Sequence, residues 1–86
     1  SELVERATRA RNGTRFSALY RGDLTGYQSQ SNADLALCNI LAFWADGDPS
    51  LVDQAFRSSG LMREKWDRNS GRATYGELTI ERALRS

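Results

Sequence analysis

Histidine does not occur in this chain of 86 residues, and cysteine, proline and methionine occur once each. Without histidine there is no Ser-His-Asp or Cys-His arrangement, no imidazole base, and none of the commonest metal ligand. A lone cysteine, Cys38, forms no internal disulfide and leaves a zinc site without its usual donors. Its place in the most apolar stretch suits a buried thiol in a reducing compartment, so the expected location is the cytoplasm. No stretch reaches the length of a membrane span, and no basic start leads into an apolar run as in a signal peptide. Glycine-rich phosphate loops of the G-x-x-x-x-G-K or G-x-G-x-x-G kind are also missing, which excludes a self-contained nucleotide-hydrolysing core.

What is present is charge, segregated along the chain although it nearly cancels to +1. From Arg6 to Arg21 every charged residue is basic, and from Asp23 to Asp53 every one is acidic. From Arg57 onward the two signs mix with basic residues in excess. All the basic residues except Lys65 are arginine. Arginine forks onto phosphates and stacks on flat rings, so this usage suits phosphate or base contact better than a lysine-rich surface would, while a GC-rich genome and ordinary solvated helix faces account for it equally well.

Apolar residues recur with the period of a helix, and no run alternates with period two. Leu3, Val4, Ala7 and Ala10 stripe a first helix that stops near Asn12-Gly13. Phe16, Leu19 and Tyr20 mark a second that ends near Gly22. A loop from Asp23 to Gln30 follows. Ser31, with Asp34 three residues on, is expected to cap a third helix of about Asn32 to Ala45. Only Asp34 and Asn39 interrupt the apolar character of that helix. It is expected to be surrounded on all sides, with Asn39 a satisfied core amide. Asp48-Pro49 opens a fourth helix, and Ser59-Gly60 stops it. Leu61 to Arg68 is a short amphipathic piece, and a capping box of Thr74 and Glu77 starts the last helix. The expected fold is all-α: one domain over residues 1–86, an irregular bundle of five to six helices around one central helix. A chain of this size hides about 60 to 65% of its unfolded surface, enough to fold alone with modest stability. Glu2 to Ala10 already has the character of a helix interior, so the chain is expected to come from a longer polypeptide.

Candidate sites are few. Asp46 and Asp48 flank Gly47 like a metal-binding pair, but a helix end beside an N-cap accounts for both, and no third acid is placed to join them. The run from Phe56 to Arg68 offers more. Ser59, Arg63 and Lys65, with the backbone N–H groups of a new helix start, form a potential phosphate cradle, and Trp66 offers a ring to a base.

The string Tyr27-Gln28-Ser29-Gln30-Ser31-Asn32-Ala33-Asp34-Leu35-Ala36-Leu37-Cys38-Asn39-Ile40-Leu41-Ala42-Phe43-Trp44 resembles one found in phage- and plasmid-borne primase-polymerases of the archaeo-eukaryotic primase type. So do Phe56-Arg57-Ser58-Ser59-Gly60-Leu61, Lys65-Trp66-Asp67 and Tyr75-Gly76-Glu77-Leu78-Thr79-Ile80. The resemblance covers about Phe16 to Leu84. Gln28 and Asn32 replace the proline or glutamate common in the family near the loop and cap. In that family a polymerase domain precedes a small helix bundle, often with a helicase domain beyond. The resemblance implies a bundle that engages single-stranded template DNA and the initiating nucleoside triphosphate, such as ATP with magnesium. It implies no catalytic residue and no bound cofactor in this chain, because the polymerase domain's metal-binding acids and histidine have no counterpart. Carried over by position, the binding residues are Arg57, Ser59, Arg63, Lys65 and Trp66, followed by Tyr75 and Thr79. Arg57, Arg63 and Lys65 would grip phosphates, and Trp66 or Tyr75 would stack on a base. The alternatives are a bundle that only spaces or docks the polymerase and helicase domains, and a duplex-binding helix-turn-helix. The helix-turn-helix lacks a polar recognition helix in the sequence.

Overall fold

In a computed structural model that describes residues 1–85, five α-helices and one short 3₁₀ helix follow the local signals closely. The first helix, α1 (Glu2–Arg9), is capped by Ser1 and carries acids in its first turn and arginines in its last, in line with the helix dipole. It stops at Ala10, which is extended. The second, α2 (Gly13–Tyr20), starts where Gly13 slides beneath the previous helix. A Cβ there would lie 1.8 Å from the Thr8 carbonyl oxygen, so only glycine allows this turn.

The third helix, α3 (Gln30–Trp44), is capped by Ser29, whose hydroxyl accepts from Asn32 N at 3.1 Å. Ser31 and Asp34 do not form the expected cap; the helix begins earlier, and Asp34 turns inward. At the other end the Gly47 N–H donates to Ala42 O and the backbone turns through left-handed Asp46 and Gly47. Asp48 then caps α4 (Pro49–Arg57) through bonds from Ser50 N and Leu51 N. A turn leads to the 3₁₀ helix Glu64–Asp67. The loop after it is closed by the Tyr75 N–H to the Arg68 carbonyl and by an isolated Asn69–Thr74 bridge. The expected box starts α5 (Tyr75–Arg85): Thr74 N donates to Glu77 Oε1 at 2.9 Å, and Glu77 N donates to Thr74 Oγ1 at 3.1 Å.

The core is centred on Ala33, Leu37, Cys38 and Leu41 of α3, with Phe16 and Leu19 on one side and Val52, Phe56, Leu61, Trp66 and Ile80 on the other. The third helix packs most extensively on α5 and also touches α1, α2 and α4. The radius of gyration is 11.9 Å, against about 12 Å for a compact chain of this length. One expectation needs correction: α3 is central but not enclosed. Asn39 is exposed rather than a core amide, and Phe43, one turn further along the same stripe, is 75% exposed. Four neighbouring helices cover most of the cylinder and leave this stripe uncovered.

Among the described residues no helix is long and apolar enough to cross a membrane.

Candidate functional site

Asp34 is fully buried, and its surroundings organise the site. A carboxylate taken out of water is costly unless it is paired and hydrogen-bonded. Arg63, from the turn after α4, meets it in a two-pronged pair, Nη1 to Oδ1 at 3.0 Å and Nη2 to Oδ2 at 2.8 Å. The Tyr75 hydroxyl donates to Oδ2 at 2.6 Å. Arg63 spends a further bond on the Leu61 carbonyl, and its side chain is only 24% exposed. The bond to Asp34 holds the Arg63 guanidinium protonated more firmly than usual. Burial, and then the neighbouring Asp34, push the Tyr75 phenol above its ordinary range, so the proton stays in the hydrogen bond.

Tyr75 is the centre of what remains accessible. Its ring is half-buried, with the Lys65 ammonium 4.4 Å from its centroid and the Arg63 guanidinium carbon at 5.9 Å, both in cation–π range. Trp66 meets the same ring edge-on at 6.1 Å. Thr79, buried one turn along α5, donates to the Tyr75 carbonyl at 2.8 Å and so belongs to the scaffold.

Trp66 itself is not the open stacking surface expected from the sequence. It is 1% exposed and lies flat on Phe56, ring centroids 3.6 Å apart. Gly76 presses against its other side, where a Cβ would come within 2.5 Å of Cε2. Its indole N–H donates to Asp53 Oδ1 at 2.9 Å. With both faces and its one donor engaged, it is a core residue that positions Tyr75.

Arg57 reaches this cluster only indirectly. Its Nε donates to Asp53 Oδ2 at 2.8 Å, and its fork grips Asp67 at 2.6 and 3.0 Å. The two carboxylates push the Arg57 pKa up, and Arg57 holds Asp67 below the usual carboxylate range. Ser59 is a turn-former: its buried hydroxyl donates to Phe56 O and accepts from Leu61 N. Of the seven expected binding residues, five therefore gather at Tyr75, while Arg57 and Ser59 are structural supports nearby. The cations without an ion pair among the described residues include Arg68, just past the 3₁₀ helix, and Arg11 and Arg15 at the α1–α2 corner.

Asp34 is the residue that sequence reasoning misplaced. A lone acid in an otherwise apolar helix was the signal, and proximity to Ser31 gave it a cheaper explanation. No group of three or more acidic or thiol side chains among the described residues is arranged to hold a metal. Cys38 is shielded on α3, its thiol pushed up to about 12 by burial first and then by Asp34 and Asp53, and so stays neutral.

Residues 30–86 match the family of the NrS-1 polymerase HBD domain, a span that opens on the first residue of α3 and includes Asp34 and all seven expected binding residues. The DNA primase-polymerase of Nitratiruptor phage NrS-1 is 45% identical over 53 residues, which is 62% of this chain and 7% of that protein. The chain thus spans only a small part of the length of this relative. No solved structure matches. The match takes in well over half of the chain, from the start of α3 onward, and so the chain belongs to the family of the NrS-1 polymerase HBD domain, a helical domain of phage primase-polymerases.

Proposed function

We propose that this bundle is the accessory domain of a DNA primase-polymerase that engages single-stranded template DNA and the initiating nucleoside triphosphate, while a separate polymerase domain carries out catalysis. The observation that supports it best is the Tyr75 ring with Lys65 and Arg63 beside it, a flat π surface next to fixed positive charge. Single strands are held by such pairs, bases on rings and phosphates on cations. In this reading Tyr75 faces a base, Lys65 and Arg68 take phosphates, and Arg63 anchors the tyrosine through Asp34. Arg57, Ser59, Trp66 and Thr79 keep the surface in shape without touching the ligand.

Fluorescence anisotropy with labelled single-stranded DNA, with and without ATP and magnesium, tests this directly. Binding should weaken steeply as salt rises, with a slope that falls by about one for each phosphate contact removed. Lys65→Ala and Arg68→Ala should each weaken binding with the fold intact. Flat titrations at low salt would rule the reading out for this chain.

A second reading, a bundle that docks or spaces the polymerase and helicase domains, draws on the many arginines already tied to carboxylates: Arg6, Arg9, Arg57, Arg63, Arg72 and Arg85. It expects Lys65→Ala and Arg68→Ala to leave primer synthesis by the full-length protein unchanged. Arg63→Ala does not discriminate, because it uncovers a buried charge.

A further inference from the structure

The Asp34–Tyr75 bond joins the N-terminal parts of α3 and α5. Nine residues further along each helix, Phe43 and Leu84 again share a wall, now of a shallow cleft of about 400 Å³ completed by Asn39, Ala42, Gly47 and Ala83. The two helices therefore run parallel, and this cleft lies about 13 Å along them from the Tyr75 cluster. Phe43 is 75% exposed, its one ring partner being Trp44, edge-on at 5.2 Å. Leu84 is exposed as well and also walls a second cleft of about 490 Å³ between α4 and α5, with Ile80 beside it. The two clefts meet at Leu84, so that Phe43, Leu84 and the almost fully buried Ile80 make a narrow apolar strip, the second cleft being walled otherwise by Pro49 and polar or charged side chains.

The rim of that strip is acidic. The second cleft is lined by Asp53, Asp67, Glu77 and Glu81 against Arg57 alone, and two of those acids already neutralise that guanidinium. Arg72 and Arg85 hold Glu81 without lining the cleft, and Arg82 and Arg85 flank Leu84 in the last turn of α5, so the acids exceed the arginines around the strip without being alone there. At the other end Asp46 is exposed beside Gly47 at the negative end of the α3 dipole, while Asp48, also exposed, caps the positive end of α4. This excess of acid disfavours a nucleic acid or an anionic lipid surface. A second copy related by a two-fold axis would bring carboxylates against carboxylates. We infer that the Phe43–Leu84 strip is a protein-docking surface for an amphipathic helix with an apolar stripe and basic flanks, distinct from the face assigned to nucleic acid.

The test titrates the chain with a fluorescein-labelled helical peptide of about five turns, a leucine stripe with arginine and lysine on the remaining face. A twin peptide with glutamate in place of the basic residues is the control. The basic peptide should bind saturably and the acidic twin about tenfold more weakly or worse. Phe43→Glu and Leu84→Glu should each cost about tenfold in affinity for the basic peptide while leaving the binding of single-stranded DNA unchanged. Phe43→Ser gives the same reading without a new charge, and circular-dichroism melts check that each variant folds. No saturable binding of the basic peptide, equal binding of both peptides, or affinity unmoved by the substitutions overturns the proposal. So does sedimentation that shows a dimer which Phe43→Glu dissolves, because the occupant is then a second copy.

Discussion

Asp34 and its partners show how much can hang on a single residue. The carboxylate is fully enclosed, and its charge is tolerated only because Arg63 and Tyr75 point three donors at it. Arg63→Ala should therefore lower stability by about 3–5 kcal/mol in urea unfolding, far beyond the worth of a surface pair. Tyr75→Phe, which removes one donor and keeps the ring, should cost about 1–3 kcal/mol. If Arg63→Ala proves as mild as a surface change, the pair is not closed in solution as it is here. Gly76 is the other critical position. A methyl group there has no room beside the Trp66 ring, so Gly76→Ala should destabilise by about 1–3 kcal/mol and alter the near-ultraviolet signal of the Phe56–Trp66 stack.

At the scale of elements, the helices start and stop where short-range chemistry tells them to. The reciprocal Thr74–Glu77 box holds the start of α5 and, with it, the orientation of the next residue, Tyr75. Thr74→Ala should cost about 1 kcal/mol, a fall of about 4–8 °C in Tm, and should weaken DNA binding only as far as Tyr75 loses its position. Ser29→Ala should cost a similar amount by uncapping α3. The pairs of α1, Glu2 with Arg6 and Glu5 with Arg9, lie open to water, and their removal should barely register.

For the molecule as a whole, pH dependence follows from the sign of the shifts. Burial raises the pKa of Tyr20, whose hydroxyl donates to the Ala55 carbonyl, as it does that of Tyr75. A group whose folded pKa is raised holds its proton more tightly folded than unfolded. The stability these phenols contribute is therefore complete below their unfolded value of 10.0 and is lost as pH rises through the elevated ones. On the acid side Asp23, Asp67 and Glu81 are held low by Thr25, Arg57 and Arg72 respectively. Their contribution is present above their unfolded values and fades as pH falls through the lowered ones. Thermal melts across the pH range should show a plateau from about pH 5 to 9 with a decline on both sides, and an alkaline limb that Tyr75→Phe makes shallower. A melting temperature still rising above pH 10 contradicts the buried phenols.

The number of helices, most of their limits and the caps at Asp48 and Thr74 were legible in the sequence, and so was the family string from Tyr27 to Trp44; the start of α3 was not, since Ser29 rather than Ser31 caps it. Caps, turns and the 3.6-residue period act between residues within a few positions of one another, so a linear reading captures them. Three things were decided by tertiary structure alone. The first is the fate of Asp34, whose partners lie 29 and 41 residues away in the chain and leave no local trace. The second is the division of labour among the aromatic residues, Trp66 enclosed and Tyr75 only half-buried, because a ring's exposure depends on which helix lands on it. The third is the uncovered stripe of α3. A helix apolar all round carries no mark of the side its neighbours leave bare, and only their packing set Phe43 at the surface.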